Sequence, residues 1–305
     1  MAFNWPTFRT RALTAIVFVA VMLTGLLWNQ WSFLVLFSII HFGCWWEFFS
    51  LLEKIHKVVY DIYVKMGFML LGYGLMIWFC GDAYRIANYG VKQNGFLPLS
   101  LAGFILLVFG IFMSKRIKMK SFGAAALGLI YISLSWGLMM YLFSSKFSLG
   151  ITSYWFDFTG VAIPIIIIAS IWINDTMAYI VGSFIGRRPL SPISPKKTWE
   201  GTIGGVILAV GIVGWIVPLF FMPKEMVSDL NASKLIFAPV ALIAAITGTL
   251  GDLLESKLKR MAGVKDSGSI MPGHGGFLDR FDSLLVAIPF VSLYLYVGMQ
   301  FFFKP

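Results

Sequence analysis

From Gly251 to Ser283 the chain reads GDLLESKLKRMAGVKDSGSIMPGHGGFLDRFDS, and both signs of charge gather there. Five of the 14 acidic residues fall in this stretch: Asp252, Glu255, Asp266, Asp279 and Asp282. Lys257, Lys259, Arg260, Lys265 and Arg280 are interleaved with them. On a helix, Asp252, Glu255, Ser256 and Lys259 follow an i, i+3, i+4, i+7 spacing and share one face. Asp279 and Asp282, three apart, share a face of the helix expected to follow the loop. Carboxylates converging with serine and water suit a hard cation, above all Mg²⁺. The PGHGG turn brings backbone N–H groups close to an anion, with His274 beside them. Acids that hold a metal and cations that hold phosphate are what phosphoryl or nucleotidyl transfer requires. A solvated salt-bridge network at a membrane surface is the competing account.

A second polar stretch, NDTMAYIVGSFIGRRPLSPISPKKTWEGTIGG, runs from Asn174 to Gly205. Asp175 lies ten residues before Ile185, about 15 Å down a helix, a costly depth for a carboxylate unless water, a cation or a ligand meets it. Asn174, Asp175 and Tyr179 cluster by helical spacing, as a substrate contact or as a helix–helix hydrogen-bond group. Pro195 fits the first turn of a helix capped by Ser194. Lys196 and Lys197 would then sit at a helix start, where phosphate binds; a positive membrane anchor is the alternative. Gly201 and Gly205, four apart, admit a close neighbouring helix.

The elements that carry these residues follow from composition. Apolar residues make up 59% and charged residues 12%, about half the usual charged share of a soluble domain, which indicates a membrane protein. The expected fold is all-α and polytopic, with about nine spans near 12–28, 31–52, 60–80, 96–113, 122–144, 161–184, 201–222, 235–254 and 283–303. Residues 1–160 form an N-terminal bundle of five spans, and 161–305 a catalytic region of four spans with polar loops. With the N-terminus in the cytoplasm, 18 of the 24 lysines and arginines fall on the inner side. That bias and attraction to anionic headgroups account for the net charge of +10 without a nucleic acid partner. The first span is read as retained rather than as a cleaved leader, because no small-residue cleavage site follows it. The loop SKRIKMK, residues 114–120, reads as a solvated anchor. Cys44 and Cys80 lie in apolar segments and make no disulfide framework or zinc motif. His41 and Glu47 are ionisable groups in an apolar second span whose roles the sequence leaves open; pairing with a neighbouring helix or facing a cavity near the interface is the default.

The segment SKLKRMAGVKDSGSIMPGHGGFLDRFD, residues 256–282, resembles the signature of the CDP-diacylglycerol synthase, or phosphatidate cytidylyltransferase, family. NDTMAYIVGSFIGRRPLSPISPKKTWEG resembles that family's second characteristic stretch. Met271 stands where Leu, Ile or Phe is usual, and GRR replaces the commoner Gly–Lys. The resemblance implies transfer of a cytidylyl group from CTP to phosphatidic acid, giving CDP-diacylglycerol and pyrophosphate. It implies that Asp252 and Asp279 bind the catalytic divalent metal with Asp282 adjacent, and that Lys259 and Arg260 act with them in catalysis. Ser256, Lys257, Lys265, Asp266, His274 and Arg280 are expected to bind substrate, together with Asn174, Asp175, Ser194, Lys196 and Lys197 of the second stretch. Mg²⁺ is the expected cofactor, with Mn²⁺ able to substitute and a monovalent ion as a further candidate. The resemblance also implies a homodimer in a bacterial inner membrane, with a polar cavity facing the cytoplasm. A CTP-dependent kinase of a lipid alcohol would share nucleotide and metal. An anion transporter would carry its polar groups at mid-membrane on broken helices, whereas here they gather towards the inner side.

Overall fold

The structure, a computed structural model, describes residues 5–114, 118–145, 147–151, 154–158, 160–218, 230–269 and 275–301. Among them, seven helices are long and apolar enough to cross a membrane, and two more apolar helices, Leu13–Leu27 and Ile62–Trp78, are shorter. The chain is an all-α membrane protein. The apolar runs of the sequence match helices α1 (Trp5–Leu27), α2 (Gln30–His56), α3 (Ile62–Trp78) and α4 (Val91–Met113). They continue in α5 (Met119–Gly128), which passes through a π-helical turn, Leu129–Leu134, into α6 (Ser135–Ser144). Then come α7 (Ala162–Ile185), α8 (Trp199–Gly211, with a π-helical turn at Ile212–Ile216), α9 (Leu230–Met261) and α10 (Leu278–Phe301). The only strands among the described residues form three antiparallel hairpins: β1 (Arg85–Ile86) with β2 (Tyr89–Gly90), β3 (Phe147–Ile151) with β4 (Tyr154–Phe158), and β5 (Pro189–Ser191) with β6 (Ser194–Thr198). The anchor loop SKRIKMK lies partly outside the described residues.

The chain divides into two compact units, Met1–Ser144 with Leu258–Phe281, and Ser145–Lys257 with Asp282–Pro305. The core of the first is aromatic: Phe33, Phe37, Trp45, Phe49, Phe68 and Trp136 are all buried. Phe33 stacks on Phe143 at 4.1 Å between ring centres. The turn into α2 is set by Asn29, whose side chain accepts from the Ser32 N–H while the Ser32 hydroxyl accepts from the Asn29 N–H. This reciprocal cap satisfies donors that a helix start leaves open. His41, buried on α2, meets the Ser133 hydroxyl at 3.0 Å, and the Trp45 indole N–H donates to the same oxygen at 2.9 Å. Ser133 lies in the π-helical turn. The default pairing expected of His41 is therefore what the structure contains.

In the second unit, α7 and α8 form a helical hairpin joined by β5 and β6. The expected helix start at Pro195 is corrected here. Ser194, Pro195, Lys196 and Lys197 lie in β6, and α8 begins at Trp199 with Thr198 as its cap, accepting from the Gly201 N–H. The strand pairs with β5, so the lysines never enter the first turn, and Thr198 supplies the cap that Ser194 was expected to provide. Glu200 reaches back to accept from the N–H groups of Arg187 and Arg188, tying the end of α7 to the start of α8. The expected close helix approach at Gly201 and Gly205 is present: a Cβ there would lie 2.6 Å from the Ala178 carbonyl or 2.7 Å from that of Asn174.

Candidate active site

In the second unit the polar residues assemble towards the C-terminal end of α9. Gly251 lets α10 approach: a Cβ on it would lie 2.5 Å from the carbonyl oxygen of Asp282. That contact brings two acidic helix faces together. One carboxylate oxygen from each of Asp252, Glu255 and Asp282 lies within 4.8 Å of the others. Glu255 and Asp282 are buried, and Asp252 is half-buried. Like charges at that spacing oppose one another unless a cation intervenes, and a hard divalent ion is the group whose oxygen-donor preference this set matches. Lys197 of β6 forms an ion pair with Asp252, and the Ser256 hydroxyl stands 3.4 Å from the same carboxylate. Asn174 is buried on α7 with its Nδ2 3.3 Å from the Thr249 hydroxyl, while Asp175 lies at the surface, where Lys197 and Asp252 interact with its charge.

Within the first unit Asp279 is the hub. Its Oδ1 accepts from Lys259 Nζ at 2.6 Å. Its Oδ2 accepts from the Ser267 N–H at 2.8 Å, the Ser267 hydroxyl at 2.9 Å and the Gly276 N–H at 2.9 Å. Three donors saturate Oδ2, so any further partner must come to Oδ1 beside the lysine. Glu47 stands behind the same loop. It accepts from the Ser267 hydroxyl, the Phe277 N–H and the Leu278 N–H, each at 2.8–2.9 Å.

The candidate residues thus divide between two constellations. Asp252, Asp282, Ser256 and Lys197 meet in one, and Asp279 and Lys259 in the other. Lys196, Lys257, Arg260, Lys265, Asp266 and Arg280 lie exposed at the surface, and Ser194 is half-buried in β6. His274 lies outside the described residues. Three participants went unassigned in the sequence. Glu255 shares a helical face with Asp252, a spacing that was visible; its burial was not. Glu47 was signalled only as a carboxylate in an apolar span. Ser267 carried no signal apart from its place in the polar loop.

Residues 9–298 match the model of the cytidylyltransferase family. The chain belongs to that family. It is 33% identical over 288 residues to the phosphatidate cytidylyltransferase of Staphylococcus saprophyticus, covering 94% of this chain and 98% of the relative. It is 31% identical over 298 residues to the phosphatidate cytidylyltransferase of Haemophilus influenzae, with the same two shares of coverage. A shorter match, 46% identical over 126 residues, joins it to the phosphatidate cytidylyltransferase of Staphylococcus aureus.

Proposed function

We propose that this chain transfers the cytidylyl group of CTP to phosphatidic acid, releasing pyrophosphate and forming CDP-diacylglycerol. The observation that carries this reading is a family match over nearly the whole chain, joined to a buried carboxylate group with a lysine at its edge. A phosphate oxygen of the lipid forms a bond to the α-phosphorus of CTP, and the bond from that phosphorus to the β-phosphate bridging oxygen breaks. No strong base is required, since a phosphate monoester carries about 1.5 to 2 negative charges near neutral pH. The obstacle is repulsion between two anions, so the work of the protein is positioning and neutralisation.

Asp252 and Asp282, with Glu255 beside them, are the residues we assign to holding Mg²⁺. The resemblance also assigns Asp279 to metal binding; within its own unit that carboxylate is paired with Lys259. Bound there, Mg²⁺ would neutralise phosphate charge and stabilise the departing pyrophosphate. Lys197 holds the Asp252 carboxylate in place and offers its charge to a phosphate. Lys196, Lys257, Lys259, Arg260, Lys265 and Arg280 draw the triphosphate and the lipid headgroup inward. Asn174, Asp175, Ser194, Ser256, Asp266 and His274 complete the polar surface. The reading includes nine spans, a cytoplasmic N-terminus, a bacterial inner membrane with the site facing the cytoplasm, and a homodimer; the lysine and arginine bias supports the orientation.

The test is product analysis. Purified protein in detergent, given CTP, phosphatidic acid and Mg²⁺, is expected to yield a CDP-lipid and pyrophosphate in equal amounts. CDP with a phosphorylated lipid alcohol would assign it instead to the kinase class, and CTP binding without turnover would remove the enzymatic reading.

A further inference from the structure

Glu47 of α2 is buried, only 3% exposed. A carboxylate inside a membrane protein is expensive unless hydrogen bonds compensate it, and all three donors to it come from residues more than 200 positions along the chain. The Ser267 hydroxyl donates to it from between α9 and α10, and the Phe277 and Leu278 N–H groups donate to it from the start of α10. Those two N–H groups open α10, where a helix start has unsatisfied donors and favours a negative charge. The backbone is shaped around the carboxylate as well. A Cβ on Gly268 or on Gly276 would overlap its oxygens, and a Cβ on Gly43, one turn earlier on α2, would overlap the Phe277 ring.

The points that Glu47 fixes are the ones that hold Asp279. Ser267 touches both carboxylates through one hydroxyl, 2.8 Å from Glu47 and 2.9 Å from Asp279, and gives its N–H to Asp279. The Gly276 N–H goes to Asp279, and the next two N–H groups go to Glu47. We infer that Glu47 is a positioning residue for cytidylyl transfer: it pins Ser267 and the Phe277–Leu278 backbone, and through them sets the Asp279–Lys259 pair. This rests on the reading that Asp279 belongs to the active site.

Glu47→Gln places an amide N–H₂ where a carboxylate oxygen accepted, so a donor faces a donor. The expected loss in kcat/KM is about 10- to 100-fold, the usual cost of removing an outer partner of a metal-site ligand. In an Asp279→Asn background the same change is expected to cost less than about 3-fold, because residues that act as a unit are non-additive. Amide hydrogen exchange in the absence of substrate is expected to rise at Ser267 and Gly276. Glu53→Gln, on the same helix, removes an ion pair with Lys65 at 2.8 Å and serves as the control for general destabilisation, with turnover unchanged. Should Glu47→Gln not fold, Ser267→Ala, which leaves both backbone bonds to Glu47, replaces it in the same cycle.

Equal losses in the two backgrounds, or equal losses for Glu47→Gln and Glu53→Gln, would overturn the inference and leave the role of Asp279 standing. Near-normal turnover of Asp279→Asn alone would remove Asp279 from the site and the catalytic role of Glu47 with it.

Discussion

Removing one carboxylate from the Asp252–Glu255–Asp282 group should make the metal-free protein no less stable while abolishing its response to Mg²⁺. The magnitude follows from the spacing. Two unit charges within 4.8 Å of one another repel by about 3 to 4 kcal/mol at an effective dielectric of about 20. That figure is the ceiling for each pair, and the pairs with Asp252 count for less still, because that side chain is 26% exposed and paired with Lys197. Asp282→Asn relieves the buried repulsion but forfeits a ligand. For the wild type, a cation at 100 times its dissociation constant adds about 2.7 kcal/mol, which for a chain of this size raises Tm by about 4 °C. The assay is thermal unfolding in detergent with a chelator and then with a Mg²⁺ titration, both without CTP. Asp282→Asn and Glu255→Gln are each expected to keep or raise the chelated Tm and to lose nearly all of the Mg²⁺ increment. Asp266→Asn, whose side chain is exposed, is expected to respond as the wild type does. A wild-type Tm indifferent to Mg²⁺, or a full increment surviving in Asp282→Asn, would show that these carboxylates do not form the metal site.

Two further outcomes are expected. The two neighbouring lysines should separate: Lys197→Ala, which strips Asp252 of its ion pair, should lower kcat/KM about 10- to 100-fold. Lys196→Ala, at an exposed position, should cost less than about 3-fold, and equal effects in detergent would return both to a membrane-anchor role. In a version lacking Cys44 and Cys80, single cysteines at Ser191 and Ser269 should react with an impermeant thiol reagent only when it reaches the cytoplasm. Labelling from outside intact cells would reverse the orientation.

What the sequence could convey about this protein depended on how far apart the interacting residues lie. Helical spacing put Asp252, Glu255 and Ser256 on one face, since side-chain direction along a single helix is fixed by its geometry. Gly201 and Gly205 likewise announced a close helix approach, and they have one against α7. Local patterns misled where two structures compete for the same residues. SPISPKK reads as a cap and a first turn, but the chain from Ser191 to Ser194 reverses into a hairpin, and the helix waits for Thr198. Spacing is silent on what a face meets. Asp279 and Asp282 share a short stretch of α10, yet Asp282 joins the α9 carboxylates while Asp279 is claimed by Lys259 and two loop amides. The partner of Glu47 was beyond any local pattern, because Ser267 is 220 residues away. The cost of burying a charge offered the one clue. A carboxylate retained in an apolar helix must have donors somewhere, and a helix start such as that of α10 offers backbone N–H groups. Sequence reasoning can therefore state the demand such a residue makes, and only the fold identifies which segment answers it.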